Sequence, residues 1–479
     1  MNALRIYKLS ILCSLIFANF VFAIDKTEAA KKEIADSIDA KQAEYADIAK
    51  QIWGFAELAF TEVKSSSLLQ SKLKEAGFSV EAGVAGLETA FVATYGKGKP
   101  IIGIIAEFDA LPGMSQQASP ECNAIVEGGN GHGCGHNLFG TGSMAAAIAV
   151  KDWLAKSGFS GTIRVYGTPA EEKGGAKIQM ALAGVFDDAD VILCWHPQDE
   201  NNASPQTTIA LISAKFRFYG VSSHASVAPE RGRSALNGVE AMNYMVNMMR
   251  EHIPSEARIH YVITQGGVAP NVVPDFAEVY YFVREYKIES LKDIWLRVVD
   301  AADGAAKGTG TRVEYEIVSG NHSMLANDTL AGLMDKNLRL VGGVKYNDEE
   351  KVFAEAISKT LGKDSRDLAT AQQIQPYEPK NIKGSTDAGD VSMIAPTAEV
   401  LTATWVPGTT SHTWQATAAS GTSIGTKGMI VAAKTMAFTA VDIFMDPSYA
   451  EQARKELEEK RGTNFKYHPL PSWQPELLF

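Results

Sequence analysis

Cys134 and His136 stand two residues apart in the run Gly131-His132-Gly133-Cys134-Gly135-His136-Asn137. A thiol and an imidazole at that spacing, in glycine-rich backbone, have metal-ligand composition. Further along come the adjacent pair Glu171-Glu172 and two isolated histidines, His196 and His412. Singly, each has an ordinary structural use. A Cys-x-His pair arises by chance, neighbouring glutamates commonly face solvent, and a histidine beside a strand is often a hydrogen-bonded structural residue. Brought together they would form a site for divalent ions, and two adjacent glutamates then suit hydrolysis. One carboxylate can bind metal while its neighbour stays free to take a proton from water and pass it to a leaving amine. A pair of ions would also polarise the bond under attack.

The elements around these residues are the ones that would bring them together. Residues 101–106 form a continuous apolar run, as expected of a buried parallel strand. Shorter strands are expected at 162–166, 191–195 and 399–406, and an alanine-rich helix at 138–154. Cys134 and His136 then lie just before a helix. Glu171 and Glu172 follow a strand, His196 follows the next, and His412 lies in the loop after the last. In an α/β sheet such loops converge on one crevice at the carboxyl ends of the strands. The expected fold is α/β, a mixed sheet sandwiched by helices. Between about 210 and 320 the pattern changes to strands at 213–219, 258–265 and 277–284 around helices at 234–250 and 290–306. That reads as a smaller α+β unit inserted into the larger one. Helices at 330–341, 349–361 and 427–441 complete the large domain.

With 479 residues, 46% of them hydrophobic and 21% charged, the chain is ordinary globular material, long enough for two cores. Arg5, Lys8, an apolar stretch over 11–22 and Val21-Phe22-Ala23 read as a secretory signal cleaved after Ala23, an uncleaved anchor being the alternative. Export to the periplasm or the outside is therefore expected, and no later segment reads as transmembrane. Loss of Arg5 and Lys8 with the leader takes the 45 basic residues to 43 against 56 acidic ones, a net charge of −13. Such a surface repels nucleic acid and anionic lipid, so neither is an expected partner. Cys122, Cys134 and Cys194 remain, an odd number that argues against a disulfide-stapled scaffold. The domain plan is thus a leader at 1–23, a discontinuous metal-binding domain at 24–209 and 321–460, the inserted unit at 210–320, and a proline-bearing tail at 461–479 without regular structure.

The order of motifs resembles the co-catalytic metallopeptidases of peptidase family twenty, which include aminoacylase, glutamate carboxypeptidase and the hippurate and auxin-conjugate amidohydrolases. Within that family it is most similar to the branch of p-aminobenzoyl-glutamate hydrolase B-subunits. The motifs are Ala106-Glu107-Phe108-Asp109-Ala110-Leu111-Pro112-Gly113, the Gly-His-Gly-Cys-Gly-His-Asn run, Thr168-Pro169-Ala170-Glu171-Glu172, Cys194-Trp195-His196-Pro197, Gly384-Ser385-Thr386-Asp387, and 408–412. The resemblance implies that Glu171 is the general base, and that Cys134, His136, Glu172, His196 and His412 hold two Mn²⁺ or Zn²⁺ ions. It implies that Asp109 orients a ligand and that the inserted unit is a ferredoxin-like lid and dimerisation domain. From that lid His224, in Ser222-Ser223-His224-Ala225-Ser226, would reach a partner subunit's active site to stabilise an oxyanion. Asn271, in the loop 266–274, would contact substrate, and Arg284 would hold a carboxylate. A capping histidine in a turn is the alternative for His224, and a strand-edge salt bridge for Arg284. Two positions depart from the family pattern. Glu107 stands where the peptidase branches have a histidine ligand, and Asn137 where the hippurate branch has aspartate. The implied function is hydrolysis of an N-acyl or N-aroyl amino acid by a homodimer, with a second kind of subunit as a further partner. A dipeptidase or carboxypeptidase is the enzymatic alternative, and a binding protein that has lost catalysis the non-enzymatic one.

Overall fold

The computed structural model describes residues 26–470. The expected leader at 1–23 lies outside the described residues. In chain order the strands are β1 (Ser79–Ala82), β2 (Phe91–Lys97), β3 (Ile101–Ala106), β4 (Gly161–Gly167), β5 (Val191–Gln198) and the two-residue β6 (Gln206–Thr207). Then come β7 (Ala210–Tyr219), β8 (Arg258–Gln265), β9 (Phe276–Glu285), β10 (Arg312–Asn321), β11 (Lys380–Asn381) and β12 (Thr397–Ala403).

Six strands form the large sheet in the order β1-β2-β4-β3-β5-β12. β4, β3, β5 and β12 run parallel, and the β1 and β2 pairings are antiparallel. The sheet is therefore mixed, as expected. Its central strands are apolar throughout because both faces are covered: every residue of β3 after Ile101 is buried, and so are the first five of β5. The helices His136–Ser157 and Ser423–Met445 pack together against it. The second of these is long and apolar enough to cross a membrane by length and composition, contrary to the expectation that no later segment is. It is a core helix, with 89% of its most apolar stretch buried inside the protein.

The inserted unit pairs its four strands antiparallel in the order β10-β7-β9-β8. Helices Ala235–Met249 and Ile288–Thr309 cover it, and the β-α-β-β-α-β sequence is ferredoxin-like. It has its own core around Phe216, Phe218, Tyr281 and Trp295. β10 was not among the expected strands. Its Arg312, Glu314 and Glu316 are exposed at the sheet edge, while Val313, Tyr315 and Ile317 alternate with them and pack on the lid core.

Both chain crossings between the domains fasten to one segment, 384–390. Ile209 donates its backbone N–H to the Gly384 carbonyl (3.0 Å), and Asn321 donates from Nδ2 to the Thr386 carbonyl (3.1 Å). The His322 backbone N–H donates to Asp390 (3.0 Å). Beyond Arg461 the described part of the tail carries no α-helix or strand, and residues 471–479 lie outside the described residues. A further helix, Ser448–Arg461, runs up to the tail. Beyond that helix the Tyr467 hydroxyl donates to buried Asp390 (2.8 Å), His322 Nε2 meets the His468 carbonyl (3.0 Å), and Leu470 is buried in the lid core. This irregular segment is held in place by tertiary contacts.

Candidate metal centre

The parallel strands end at one edge of the large sheet, and the chemistry-bearing residues gather there. Glu107 and Asp109 follow β3, and Glu171 and Glu172 follow β4. His196 lies inside β5, which runs three residues further than expected. His412 lies in the loop after β12, which ends at Ala403 and not Val406. Cys134 and Gly135 lead directly into the helix that His136 begins. Gly135 has φ +73°, and a Cβ there would stand 2.8 Å from the Pro197 ring. Glycine thus lets the Cys134 loop press against the strand that carries His196.

The donor atoms converge as two groups that share one residue. Cys134, His136 and His196 form one, Cys134, Glu172 and His412 the other, with atoms in each group within 4.8 Å of one another. A third group joins Glu107, His136 and Glu171. Both histidines of the first group are held by Nδ1, which leaves Nε2 facing inward. His136 Nδ1 bonds Asp109 Oδ1 (2.8 Å), and His196 Nδ1 bonds the Pro197 carbonyl (2.8 Å). This is the outer hydrogen bonding that fixes the tautomer of a metal-binding imidazole. The second oxygen of Asp109 accepts the Glu172 backbone N–H (2.9 Å), so one buried aspartate orients two of the converging residues. His196 Nε2 is 3.5 Å from Cys134 Sγ, and His412 Nε2 is 3.2 Å from Glu172 Oε1.

The donor set fits a pair of divalent ions. Glu107 Oε2 and His136 Nε2 are buried and face each other at 3.1 Å, and buried Glu172 Oε1 faces His412, an arrangement of donor atoms that a cation would complete. Burial pushes the His136 imidazole towards neutrality, but Cys134, Glu107 and Asp109 outweigh it and raise its basicity well above the usual range. These surroundings therefore draw positive charge to that spot. Burial and the neighbouring Glu172 push the Cys134 thiol up, so an ion must displace its proton to bind. Glu171 is raised well above the carboxylate range by burial and then by Glu107 and Glu172. For Glu172 burial acts upward too, but the His412 hydrogen bond and the His136 charge hold it below that range.

The turn that presents the glutamates is strained and braced. Ala170 has φ +58°, a left-handed conformation that costs a non-glycine residue free energy. Its N–H donates to buried Glu62 (2.8 Å), whose other oxygen accepts from Thr89 Oγ1 (3.1 Å). Burial raises Glu62 from 4.5 to about 7. The folded state therefore binds a proton more tightly than the unfolded state, so stability falls as pH rises from 4.5 to 7. The expected contribution is on the order of 2–3 kcal/mol. In Glu62→Gln this part of the slope should vanish, measured as denaturation midpoints at pH 5 and pH 8 against wild type. An unchanged difference between the two pH values would show that Glu62 does not titrate in this window.

Residues 209–309 match the model of the peptidase dimerisation domain. Over 465 residues the chain is 40% identical to the B-subunit of p-aminobenzoyl-glutamate hydrolase from Escherichia coli (strain K12), an alignment covering 91% of this chain and 97% of that protein. The chain belongs to the M20 family of metal-dependent amidohydrolases and peptidases. The Xaa-Arg dipeptidase of Mus musculus is 28% identical over 449 residues, 90% of this chain and 93% of that one. Among solved structures, a dinuclear metal-binding M20 peptidase of Bacillus subtilis superposes with a TM-score of 0.60 at 19% identity, over 85% of this chain and 99% of that one. An aminobenzoyl-glutamate utilization protein from Klebsiella pneumoniae superposes with a TM-score of 0.60 at 17% identity, over 86% and 98%. These two share the fold.

In this M20 chain the lid residues lie apart from the converging donors. His224 is exposed, and its Nδ1 accepts the Ser226 and Val227 backbone N–H groups (both 3.2 Å). The histidine thus caps a turn, the alternative weighed above, while Nε2 is left to donate outward. The loop carrying exposed Asn271 lies alongside, with the Ala225 N–H donating to the Asn271 carbonyl (2.9 Å). Arg284 has no acidic partner among the described residues, which removes the salt-bridge alternative. Its Nε is buried and unpartnered, and Nη1 reaches the Lys383 carbonyl at 3.5 Å. Asn137 turns away from the site. Its side chain donates to the Ala49 and Ser420 carbonyls, so this departure from the family pattern serves packing. The sequence reasoning did not single out Lys177, which is wholly buried against Glu107 and Asp387. A lysine in a short helical stretch reads as solvated, and nothing local signals otherwise.

Proposed function

We propose that the chain hydrolyses the amide bond of an N-aroyl or N-acyl glutamate of the p-aminobenzoyl-glutamate type. The observation that carries this reading is the pair of donor groups sharing Cys134, with Glu171 beside them. Two divalent ions held there would polarise the scissile carbonyl and acidify the attacking water. Glu171, kept basic by burial and by its carboxylate neighbours, takes a proton from that water. It then delivers the proton to the departing amine nitrogen. Asp109 keeps His136 and the Glu172 backbone in place throughout. A thiolate with two imidazoles suits Zn²⁺, and Mn²⁺ is the second choice on the carboxylate side.

The p-aminobenzoyl-glutamate hydrolase relative supports the substrate class, and so does Arg284. An unpaired, partly buried guanidinium can take a carboxylate in bidentate fashion, offsetting the acidic surface. Arg284 would hold the terminal carboxylate of a dipeptide equally well, and the 28% relative keeps a dipeptide ending in arginine as the second reading. A homodimer through the lid is supported by the family match and by exposed apolar side chains on it. These include Tyr244 and Met248 on one helix and Val262 and Ile263 on the edge strand β8. A second kind of subunit and export after cleavage at Ala23 belong to the same proposal. N-terminal sequencing of material from the periplasm should begin at Ile24.

The test is hydrolysis by the mature chain reconstituted with Zn²⁺ or Mn²⁺, with and without chelator. Substrates are p-aminobenzoyl-glutamate, hippurate, N-acetyl amino acids and dipeptides including Xaa-Arg. Chelator-sensitive release of glutamate is expected. Preferential release of arginine would move the assignment to the dipeptidase reading. No turnover with ions bound would overturn hydrolysis by this chain alone.

A further inference from the structure

Lys177 is fully buried beneath the donor groups, on the short helix Ala176–Leu182. Its Nζ lies 2.8 Å from Glu107 Oε1 and 2.6 Å from Asp387 Oδ1, and its backbone N–H donates to the other oxygen of Asp387 (3.1 Å). With Oε1 engaged, the remaining oxygen of Glu107 has one direction left. Oε2 stands 3.1 Å from His136 Nε2, and neither atom has another polar partner among the described residues. Two ligand atoms on one ion with bonds near 2.1 Å stand roughly 3.0–3.5 Å apart. The free oxygen is thus aimed where an ion on His136 would sit.

We infer that Lys177 is a positioning residue, holding Glu107 so that its free oxygen faces the ion of the Cys134–His136–His196 half-site and sets how tightly that ion is held. The inference rests on the two-ion reading above. An alternative conformation of Glu107 would have to leave the ammonium buried against Asp387 alone, so the lysine biases one rotamer. Asp387 closes the arrangement from the opposite side. It lies at the end of the Gly384-Ser385-Thr386-Asp387 motif, in the segment to which both domain crossings fasten. The ammonium therefore joins the metal-facing carboxylate to the root of the lid. It also accounts for the departure at Glu107. A glutamate there reaches back to the lysine with one oxygen and forward with the other, which an imidazole ligand could not do with the same pair of contacts.

The experiment measures ion retention, independently of turnover. Wild type, Glu107→Gln, Lys177→Met and the charge-balanced Lys177→Met/Asp387→Asn are loaded with Zn²⁺. Loss of each ion to a chromophoric chelator is then followed, with near-ultraviolet circular dichroism as the check on folding. Glu107→Gln leaves the Lys177–Asp387 pair intact and so keeps its fold. It should weaken retention of one of the two ions by at least the roughly 10–100-fold expected for losing an outer partner such as Lys177, while the other ion is held as before. The folded lysine variants should show the same one-ion loss. Wild type holding two ions with Glu107→Gln indistinguishable from it would overturn the positioning role alone. Wild type binding no ion would overturn the two-ion reading and this inference with it.

Discussion

Glu171→Gln is expected to lower kcat by about 10²–10⁴-fold, the usual contribution of a positioned acid–base group, with both ions retained. Glutamine matches the shape of the carboxylate but cannot take a proton from water. Glu171 occurs in neither of the groups that share Cys134, whereas Glu172 is in one of them and is tied to His412. The two adjacent glutamates thus have separable duties. Glu172 has its backbone fixed by Asp109 and its side chain turned to His412, while Glu171 faces Glu107 and His136. The measurement is steady-state kinetics beside metal analysis of the same sample. Loss of an ion along with activity would reverse the two roles, and retention of activity would remove Glu171 from the chemistry.

Cys134→Ala is expected to be equally severe by another route. Cys134 is the residue common to both donor groups, so its removal should take the metal content from roughly two ions per chain to below one. His412→Ala is the comparison. That side chain belongs to one group, is 51% exposed, and should cost one ion. The stabilisation that bound ions supply should fall accordingly, by about 4 kcal/mol per ion at a thousandfold excess over Kd. Metal analysis and the Tm gain on adding Zn²⁺ read both effects. A Cys134→Ala chain that keeps both ions would mean that each half-site is complete without the thiolate.

Much of this is legible in residue types and their spacing. β3 and β5 are visible as apolar runs because strands buried on both faces need no polar alternation. The convergence of Cys134, His136, Glu172, His196 and His412 follows from loops at one edge of a parallel sheet. β10 was legible too, since Val313, Tyr315 and Ile317 alternate with Arg312, Glu314 and Glu316, although no strand was expected there. The helix Ser448–Arg461 is polar on most of its surface and buries only Ala450, Ala453 and Leu457, too faint a pattern to read. What the irregular tail packs against was not legible, because Tyr467 and Leu470 meet Asp390 and the lid core, which lie far away along the chain.

The sequence by itself determined which donors exist, in what order, and in loops of which strands. Those properties depend on residue type and local periodicity. Only the tertiary structure decided what each polar group faces. It turned Asn137 into the core, used His224 Nδ1 to cap a turn, and left Arg284 without an acidic partner among the described residues. It also buried Lys177 between Glu107 and Asp387, residues separated from it by 70 and 210 positions. The physical reason is that a charged side chain inside a protein persists only beside its partners, and those partners are brought to it by the packing of the whole domain.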